Sequence, residues 1–429
     1  MTLSESKVTE HVNLVIESIN HLDIHSLLHK ALVNGSIYEK LRDKERVFLV
    51  GVGKVSMPMG KALVKLLPQQ MTSTCIISLE NPLQNSNSNL INIKSSHPEP
   101  SQYSENAALE LINYLNSQKL SKNDAVIFAI SGGTSAMLMS PTNKFNLAEL
   151  KQINKILLES GEDVSTINKI RKAISKLHGG GILKYTGQAD IFSFILSDNA
   201  QSDVKSVGSG LTYQYDVDDA DIKNIIERLE LSEILKRKIV ESHNGKKIKI
   251  TTGEITNIVI ADTNSVAESM ARVAKEKGYE VFIITATLQG EVREVAKFLG
   301  NIYINKVVPN RVGSKLCIIS SGELTVKVNG TGKGGRCQEL TWCMAKELSQ
   351  LEKEVSFISF ATDGNDFIPG VAGAWATNNT YKKIMYEGIE WKEILNNNNS
   401  NYGLQRISQL IKDIKTSINL CDLYVLFSD

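Results

Sequence analysis

Residue types that could do chemistry are concentrated at five points, where an apolar run ends just before a helical pattern. Open parallel sheets bind ligands at the carboxyl ends of their strands, so an α/β enzyme exposes its reactive groups at such breaks. Together the five segments supply backbone N–H groups flanked by glycines, two cations and several carboxylates. Phosphoryl transfer requires groups of these kinds. We therefore predict an enzyme. The five segments are G-V-G-K at 51–54, S-G-G-T-S at 131–135, S-D-N-A-Q-S-D at 197–203, G-K-G-G-R at 332–336 and T-D-G-N-D at 362–366.

The first segment places Lys54 in the predicted first turn of a helix, where the helix dipole disfavours a cation. It matches neither the nucleotide P-loop nor the dinucleotide fingerprint, which has glycine where this chain has Ser56. Gly51 and Gly53 would let a ligand approach the backbone, while Lys54 would meet an oxyanion. A plain strand-to-helix turn with an exposed lysine is the alternative.

The second segment predicts a flexible turn that enters a helix. Helix N-termini present unpaired N–H groups to anions, so Ser131, Gly132, Gly133 and Ser135 are candidate phosphate or substrate contacts. A serine or threonine that only caps the helix is the alternative. His97, in S-S-H-P-E-P, is a further candidate ligand contact, although a histidine before proline is often structural.

The third segment supplies Asp198 at a predicted strand end and Asp203 five residues later. A carboxylate there could accept a hydroxyl proton or hold Mg²⁺, and both residues are candidate metal ligands. Aspartates that cap a turn are the alternative.

The last two segments contain a glycine-rich loop and another acidic turn. Gly334 and Gly335 suit close contact with a ligand, and the planar guanidinium of Arg336 could grip a carboxylate or phosphate with two hydrogen bonds. Asp363 and Asp366 follow a buried strand and could bind a metal or ribose hydroxyls, or make an Asx turn.

The elements around these segments alternate between short apolar strands and amphipathic helices, which predicts two Rossmann-like α/β domains. We place the domains at residues 1–245 and 246–429, so the strand N-I-V-I-A at 257–261 opens the second. The first sheet should be mainly parallel. The second should be mixed, because residues 316–328 predict two strands around an S-G turn. The asparagine run at 396–399 predicts a solvated loop.

Composition excludes several classes of protein. The chain of 429 residues is 42% hydrophobic and 22% charged, with a formal net charge of +1, so neither nucleic acid nor an anionic membrane is an expected partner. With no secretory signal and no bilayer-length apolar run, we expect a cytoplasmic protein. The five cysteines contain no C-x-x-C pair, which predicts buried free thiols.

An ordered set of motifs resembles the type II glycerate kinases, the glycerate 2-kinase family with a MOFRL domain at its carboxyl end. The resemblance covers roughly residues 10–425. The motifs are V-G-V-G-K, S-S-H-P-E-P, I-S-G-G-T-S-A, I-N-K-I-R-K-A-I-S-K, S-D-N-A-Q-S-D with V-G-S-G-L-T, G-K-G-G-R-C-Q-E-L, and A-T-D-G-N-D with A-G-A.

The resemblance implies a two-domain enzyme with its active site in the interdomain cleft. It implies transfer of the γ-phosphoryl group of ATP, with Mg²⁺, to the 2-hydroxyl of D-glycerate, and leaves a homodimer as an option. By motif match, Lys54, Asp198 and Arg336 correspond to the family's active-site lysine, aspartate and arginine. The chain departs from the family pattern at Asn199 and Cys337, among other positions, so a related small hydroxy acid stays open as the acceptor.

Two other functions compete with the kinase. Hydroxypyruvate reduction with NAD(P)H is one, although no G-x-G-x-x-G opens a helix and no acidic residue follows at the expected distance. A sensor that binds ATP or an organic acid without turnover is the other, and retention of the lysine, aspartate and arginine argues against it.

Overall fold

The computed structural model of the protein describes residues 4–80, 90–142, 144–162, 164–197, 204–246, 253–307, 315–416 and 418–429. Strands and helices alternate over most of this length. The strands are β1 Arg46–Val52, β2 Met71–Ser78, β3 Leu90–Lys94, β4 Asp124–Ile130, β5 Asp190–Leu196, β6 Ile255–Ala261, β7 Glu280–Leu288, β8 Leu316–Gly322, β9 Val355–Ala361, β10 Val371–Thr377, β11 Leu410–Lys412 and β12 Asp422–Ser428. The helices are α1 Glu5–Asn20, α2 Ile24–Asn34, α3 Ile37–Arg42, α4 Ser56–Leu66, α5 Gln102–Ser117, α6 Thr134–Met137, α7 Leu147–Glu159, α8 Val164–Ile174, α9 Asp219–Arg228, α10 Glu233–Asn244, α11 Thr263–Glu276, α12 Val292–Ile302, α13 Arg336–Leu348, α14 Thr380–Tyr386, α15 Trp391–Asn396 and α16 Ser400–Arg406.

The first sheet has six strands in the order β3-β2-β1-β4-β5-β6. The pairs β2–β3, β1–β2, β1–β4 and β4–β5 are parallel, as predicted. Every residue of β4 is buried, as expected for a parallel strand that helices cover on both faces. The strand predicted to open the second domain, β6, lies instead at the edge of this first sheet, next to β5.

The second sheet has six strands in the order β11-β10-β9-β12-β8-β7. It is mixed, as predicted, because β7 and β8 are parallel while the other pairs are antiparallel. The hairpin predicted at 316–328 was wrong, since β8 already pairs with β7 on one side and β12 on the other. Residues 323–325 instead bond to the end of β7 and the chain after it: Glu323 N donates to the oxygen of Leu288, the last residue of β7, at 3.0 Å, and Thr325 N donates to Gly290 O at 2.9 Å.

Contacts divide the described chain into two compact units. One unit comprises residues 24–197 and 204–260, and the other residues 4–23 and 261–429. Helix α1 packs on α11 in the second of these, where Ser269 Oγ donates to Ser18 O at 2.7 Å. The sequence-based division at residues 245 and 246 stays a prediction for the two domains.

Local sequence explains where several helices begin. Asn146 and Glu149 form a capping box at the start of α7, and Asp262 and Ser265 form another at the start of α11. The predicted absence of disulfides agrees with the structure, in which all five cysteines are buried and none forms a disulfide. Among the described residues, no helix is long and apolar enough to cross a membrane.

Candidate functional site

Two neighbouring parallel strands bring the first two predicted segments together. β1 and β4 are paired through Val52 and Ile130, so the residues that follow each strand emerge side by side. Lys54 N donates to Gly132 O at 2.9 Å, and Val55 N donates to Ser131 Oγ at 3.0 Å. The Lys54 and Ser131 segments therefore form one bonded pair of loops.

Glycine is required where these loops touch. Gly53 has φ 119°, and a Cβ there would lie 2.9 Å from the carbonyl carbon of Ser131 and closer still to its oxygens. Gly51 instead lies inside β1, where a Cβ would be 3.3 Å from Ser56 O. Gly53 thus allows the loops to approach each other, and Gly51 allows α4 to pack on the strand.

Lys54, His97 and Gly133 lie together beside this loop pair. A Cβ on Gly133, whose φ is 89°, would be 3.0 Å from His97 Cδ2 and 3.2 Å from Lys54 Cγ. Burial lowers the pKa of His97, and the nearby Lys54 ammonium lowers it further. His97 is therefore a neutral imidazole at pH 7, and Lys54 supplies the positive charge at an exposed position.

The helices at these loops differ from the prediction in two respects. Lys54 precedes α4 by two residues, because this helix begins at Ser56. The 131–135 segment enters only α6, a single turn from Thr134 to Met137. A full helix dipole therefore does not act on the Ser131–Ser135 loop, and ligand binding there depends on side chains and individual N–H groups.

Ser135 belongs to a hydroxyl network that the sequence did not reveal. Its Oγ lies 2.8 Å from Ser209 Oγ, and the Ser209 hydroxyl donates to Asn168 Oδ1 at 3.0 Å. Ser209 is buried with φ 50°, an uncommon conformation for a non-glycine residue. The motif V-G-S-G-L-T was the signal that could have identified Ser209.

In the other unit, Arg336 opens α13 and pairs with two carboxylates. Its Nε lies 3.0 Å from Asp422 Oδ2, its Nη2 donates to Asp422 Oδ1 at 3.2 Å, and its Nη1 donates to Glu323. Asp422 is buried at the start of β12, whereas Glu323 is exposed. Burial raises the pKa of Asp422 to about 7, against the opposing effect of Arg336 and with help from Asp366 and Glu323.

Asp366 caps α13 and has no open face toward a ligand. Its carboxylate accepts from Cys337 N at 3.0 Å, from Gln338 N at 2.8 Å and from Gln338 Nε2 at 2.9 Å. Asp363 accepts from Asn365 N at 2.9 Å, which is an Asx turn. Asp363 thus makes the Asx turn that was the alternative, and its binding of a ligand stays a prediction, whereas Asp366 binds the start of α13.

The glycine-rich loop before Arg336 rests on the asparagine run. Asn398 Oδ1 accepts from Asn329 N at 2.7 Å and from Gly330 N at 3.0 Å. Asn397 and Asn399 accept from Thr331 N and Lys333 N in the same way, at 2.9 and 3.2 Å. The prediction of a solvated loop at 396–399 was wrong, because these amides replace the missing backbone partners of an irregular segment.

Glycines in this loop allow two close approaches. A Cβ on Gly334 would collide with Ser400 Oγ, and one on Gly335 would collide with the carboxyl group and backbone of Asp366. Gly334 and Gly335 thus fix the start of α13 and the position of Arg336. Their predicted contact with a ligand remains a prediction.

Asp198 and Asp203 lie outside the described residues. Among the residues that the structure does describe, no group of three or more His, Cys, Asp or Glu side chains could hold a metal ion. Asp366 is occupied by its contacts with the start of α13, and Asp422 by its contacts with Arg336.

Comparison with protein families supplies the family of the chain. Residues 11–243, more than half of it, match the model described as a domain of unknown function, DUF4147, and residues 316–422 match the MOFRL family. The chain belongs to the DUF4147 family. Within it, the chain has the arrangement with a MOFRL domain toward the carboxyl end, which confirms the resemblance to the type II glycerate kinases.

Similarity to named proteins extends over nearly the whole chain. The glycerate 2-kinase of Pyrococcus horikoshii is 29% identical over 92% of this chain and 90% of its own length. The D-glycerate 2-kinase of Thermotoga maritima is 29% identical over 89% of this chain and 90% of its own length. A crystal structure of glycerate kinase from Thermotoga maritima matches 99% of this chain and 100% of its own, with a TM-score of 0.86 at 26% identity.

Proposed function

We propose that the protein is an ATP-dependent kinase that phosphorylates the 2-hydroxyl of D-glycerate and releases 2-phospho-D-glycerate and ADP. The observation that carries this proposal is the similarity to two named glycerate 2-kinases over about nine-tenths of each chain. Similarity of this extent supports a shared activity, and the roles of the individual residues below are part of the proposal.

Lys54 has the position and charge to bind an anionic ligand. It is exposed, it follows a buried strand, and two loops held together by main-chain contacts fix its backbone. Phosphoryl transfer needs cations that are held in place before charge develops on the γ-phosphate oxygens. Lys54 supplies one such cation, and the neutral His97 beside it can hydrogen-bond a ligand without adding charge.

Arg336 has the geometry of a second anion-binding group. Its guanidinium already holds two carboxylates, and the exposed Glu323 is the weaker partner because water competes with that ion pair. A substrate carboxylate or phosphate could replace Glu323, while the buried Asp422 keeps the guanidinium oriented. Arg336 would then meet negative charge on the substrate.

The role of Asp198 in this proposal is inferred from the sequence. As the 2-hydroxyl oxygen forms a bond to the γ-phosphorus, the bond from that phosphorus to the bridging oxygen of ATP breaks and ADP leaves. The hydroxyl proton must be transferred to a base, and we assign it to the Asp198 carboxylate.

Mg²⁺ has no three-ligand site among the described residues, and the described aspartates at Arg336 do not fit one. A dependence on Mg²⁺ therefore rests on Asp198 and Asp203, together with the phosphates of ATP. When bound, such an ion would neutralise part of the phosphate charge.

The experiment that tests the proposal compares two reactions of the purified protein. ATP, Mg²⁺ and D-glycerate should give ADP and a phosphoglycerate in equal amounts. NADH or NADPH with hydroxypyruvate should show no oxidation of the nicotinamide above background. Steady oxidation of NADH or NADPH without ADP formation in the first reaction would support the reductase instead.

A further inference from the structure

The hydrogen bonds of the hydroxyl network at Ser135 run in a defined direction. A serine hydroxyl carries one proton, and Ser209 donates its proton to Asn168 Oδ1 at 3.0 Å. The Ser209 oxygen must therefore accept in its 2.8 Å contact with Ser135. The Ser135 proton is thus directed toward Ser209, and Ser135 offers only lone pairs in other directions.

The residues around the network maintain this hydrogen-bond direction. Ser209 is fully buried and Asn168 is nearly so, at 0% and 4% exposure, which limits exchange of these partners for water. The Ser209 segment has positive φ at three successive residues, 56° at Gly208, 50° at Ser209 and 67° at Gly210. Gly179 N and Gly180 N donate to the carbonyl oxygens of Ser209 and Gly210, both at 2.9 Å.

A side chain that can only accept a hydrogen bond binds ligand groups that can donate one. Carboxylates and fully ionised phosphates have no proton to donate, so Ser135 is not suited to bind an anion. A substrate hydroxyl is suited. The network also ends in an amide oxygen, which cannot hold a proton near neutral pH, so it does not carry a proton away and the bound hydroxyl stays protonated.

We propose that Ser135 accepts a hydrogen bond from the 3-hydroxyl of D-glycerate, the hydroxyl that is not phosphorylated, and that Ser209 and Asn168 are positioning residues that orient it. The proposal rests on the proposed function, because it names the substrate group bound in the same site. Ser135 is half-buried and lies on the loop that carries Gly133, beside Lys54 and His97, so it is available to a ligand there.

The test compares D-glycerate with D-lactate, which has hydrogen in place of the 3-hydroxyl. For Ser135→Ala, kcat/KM with D-glycerate should fall about 10-fold, as expected for one lost hydrogen bond. With D-lactate, kcat/KM should change less than about 2-fold, because D-lactate has no 3-hydroxyl to donate to Ser135. The KM for ATP should stay the same, because the proposal places no group of ATP at Ser135. Ser160→Ala, at the exposed end of α7, is the matched control and should leave both substrates unchanged.

Two substitutions at Asn168 test the positioning role. Asn168→Leu removes the acceptor and lets the Ser209 proton point toward Ser135, so the preference for D-glycerate should fall, but by less than in Ser135→Ala, because the Ser135 hydroxyl can still bond the 3-hydroxyl. Asn168→Asp keeps an acceptor oxygen and should restore the preference. Thermal unfolding of each variant shows whether it is folded, and the ratio of the two substrates is independent of the amount of active enzyme.

The outcomes separate this inference from the proposed function. If the wild type phosphorylates D-glycerate but Ser135→Ala loses activity equally toward both substrates, or loses ATP affinity, the kinase stands and the role of Ser135 is wrong. If the wild type does not phosphorylate D-glycerate, both proposals are overturned.

Discussion

At the residue scale, the proposed chemistry depends on two positively charged side chains. Lys54 is held by the backbone of two neighbouring loops, whereas Arg336 is oriented by a buried carboxylate. The two cations are therefore positioned in different ways, one by glycine-dependent loop packing and the other by an ion pair.

Removal of either cation should reduce turnover without unfolding the protein. Loss of one electrostatic donor costs about 10²- to 10³-fold in rate, so Lys54→Ala and Arg336→Ala should each lower kcat by that factor. Lys61→Ala is the control, because Lys61 is an exposed lysine on the nearby α4. Steady-state kinetics and thermal unfolding measure both effects, and near-normal turnover in either variant would refute the role proposed for that residue.

Asp422 should make stability depend on pH. Burial raises its pKa from an ordinary 3.8 to about 7, so between those values the folded protein holds a proton that the unfolded chain has lost. This contribution to stability is complete below about pH 4 and is lost as the pH rises through 7. Asp422→Asn removes the titration, so the free energy of unfolding of the wild type should fall relative to the variant from about pH 5 to about pH 8.

Denaturant unfolding at the two pH values measures this difference. A wild type that gains stability over Asp422→Asn as the pH rises would mean that Arg336, not burial, controls the carboxyl group.

The residue-scale predictions depended on how far apart the partners lie in the chain. Lys54, Ser131 and Gly133 follow strands of one parallel sheet, whose carboxyl ends meet at one edge, so their proximity could be predicted. His97 follows β3, which β2 separates from β1, so its place beside Lys54 could not be predicted in this way. Asp422 lies 86 residues from Arg336 and begins β12, a strand that we did not predict from the sequence. A local pattern contains no information about such a pair.

At the element scale, periodicity predicted most strands and helices but not their partners. β6 was expected in the second domain because it follows a charged segment, yet it extends the first sheet. The 316–328 hairpin was expected from an S-G turn, yet both edges of β8 are already paired. Edge availability is a property of the whole sheet, which a local pattern does not contain.

The asparagine run provides the element-scale prediction. Asn398 has φ 50°, and its side chain makes four hydrogen bonds, to Asn329, Gly330, Lys327 and Glu339. Asn398→Gly keeps the backbone conformation but removes these bonds, so it should cost about 2 kcal/mol of stability and about 10-fold in kcat/KM.

The matched control is Asn396→Gly, at the exposed end of α15. Denaturant unfolding and steady-state kinetics of the two variants measure the difference. Equal effects of both substitutions would show that the run does not support the glycine-rich loop.

At the scale of the whole molecule, the family and the order of the motifs agree. The chain carries the DUF4147 and MOFRL segments in sequence, and the motif groups that resemble the type II glycerate kinases fall in the same order along it. Composition alone argued against nucleic acid and anionic membranes as partners but could not identify a substrate. The substrate follows from similarity to named relatives along nearly the full chain.

The position of the new phosphate group tests the central claim most directly. The product of ATP, Mg²⁺ and D-glycerate should be 2-phospho-D-glycerate, which enolase converts to phosphoenolpyruvate without phosphoglycerate mutase. We expect the wild type to give phosphoenolpyruvate with enolase alone, at the same rate with or without added mutase, and Lys54→Ala to give almost none. A strict requirement for the mutase would mean that the 3-hydroxyl is phosphorylated and would contradict the account.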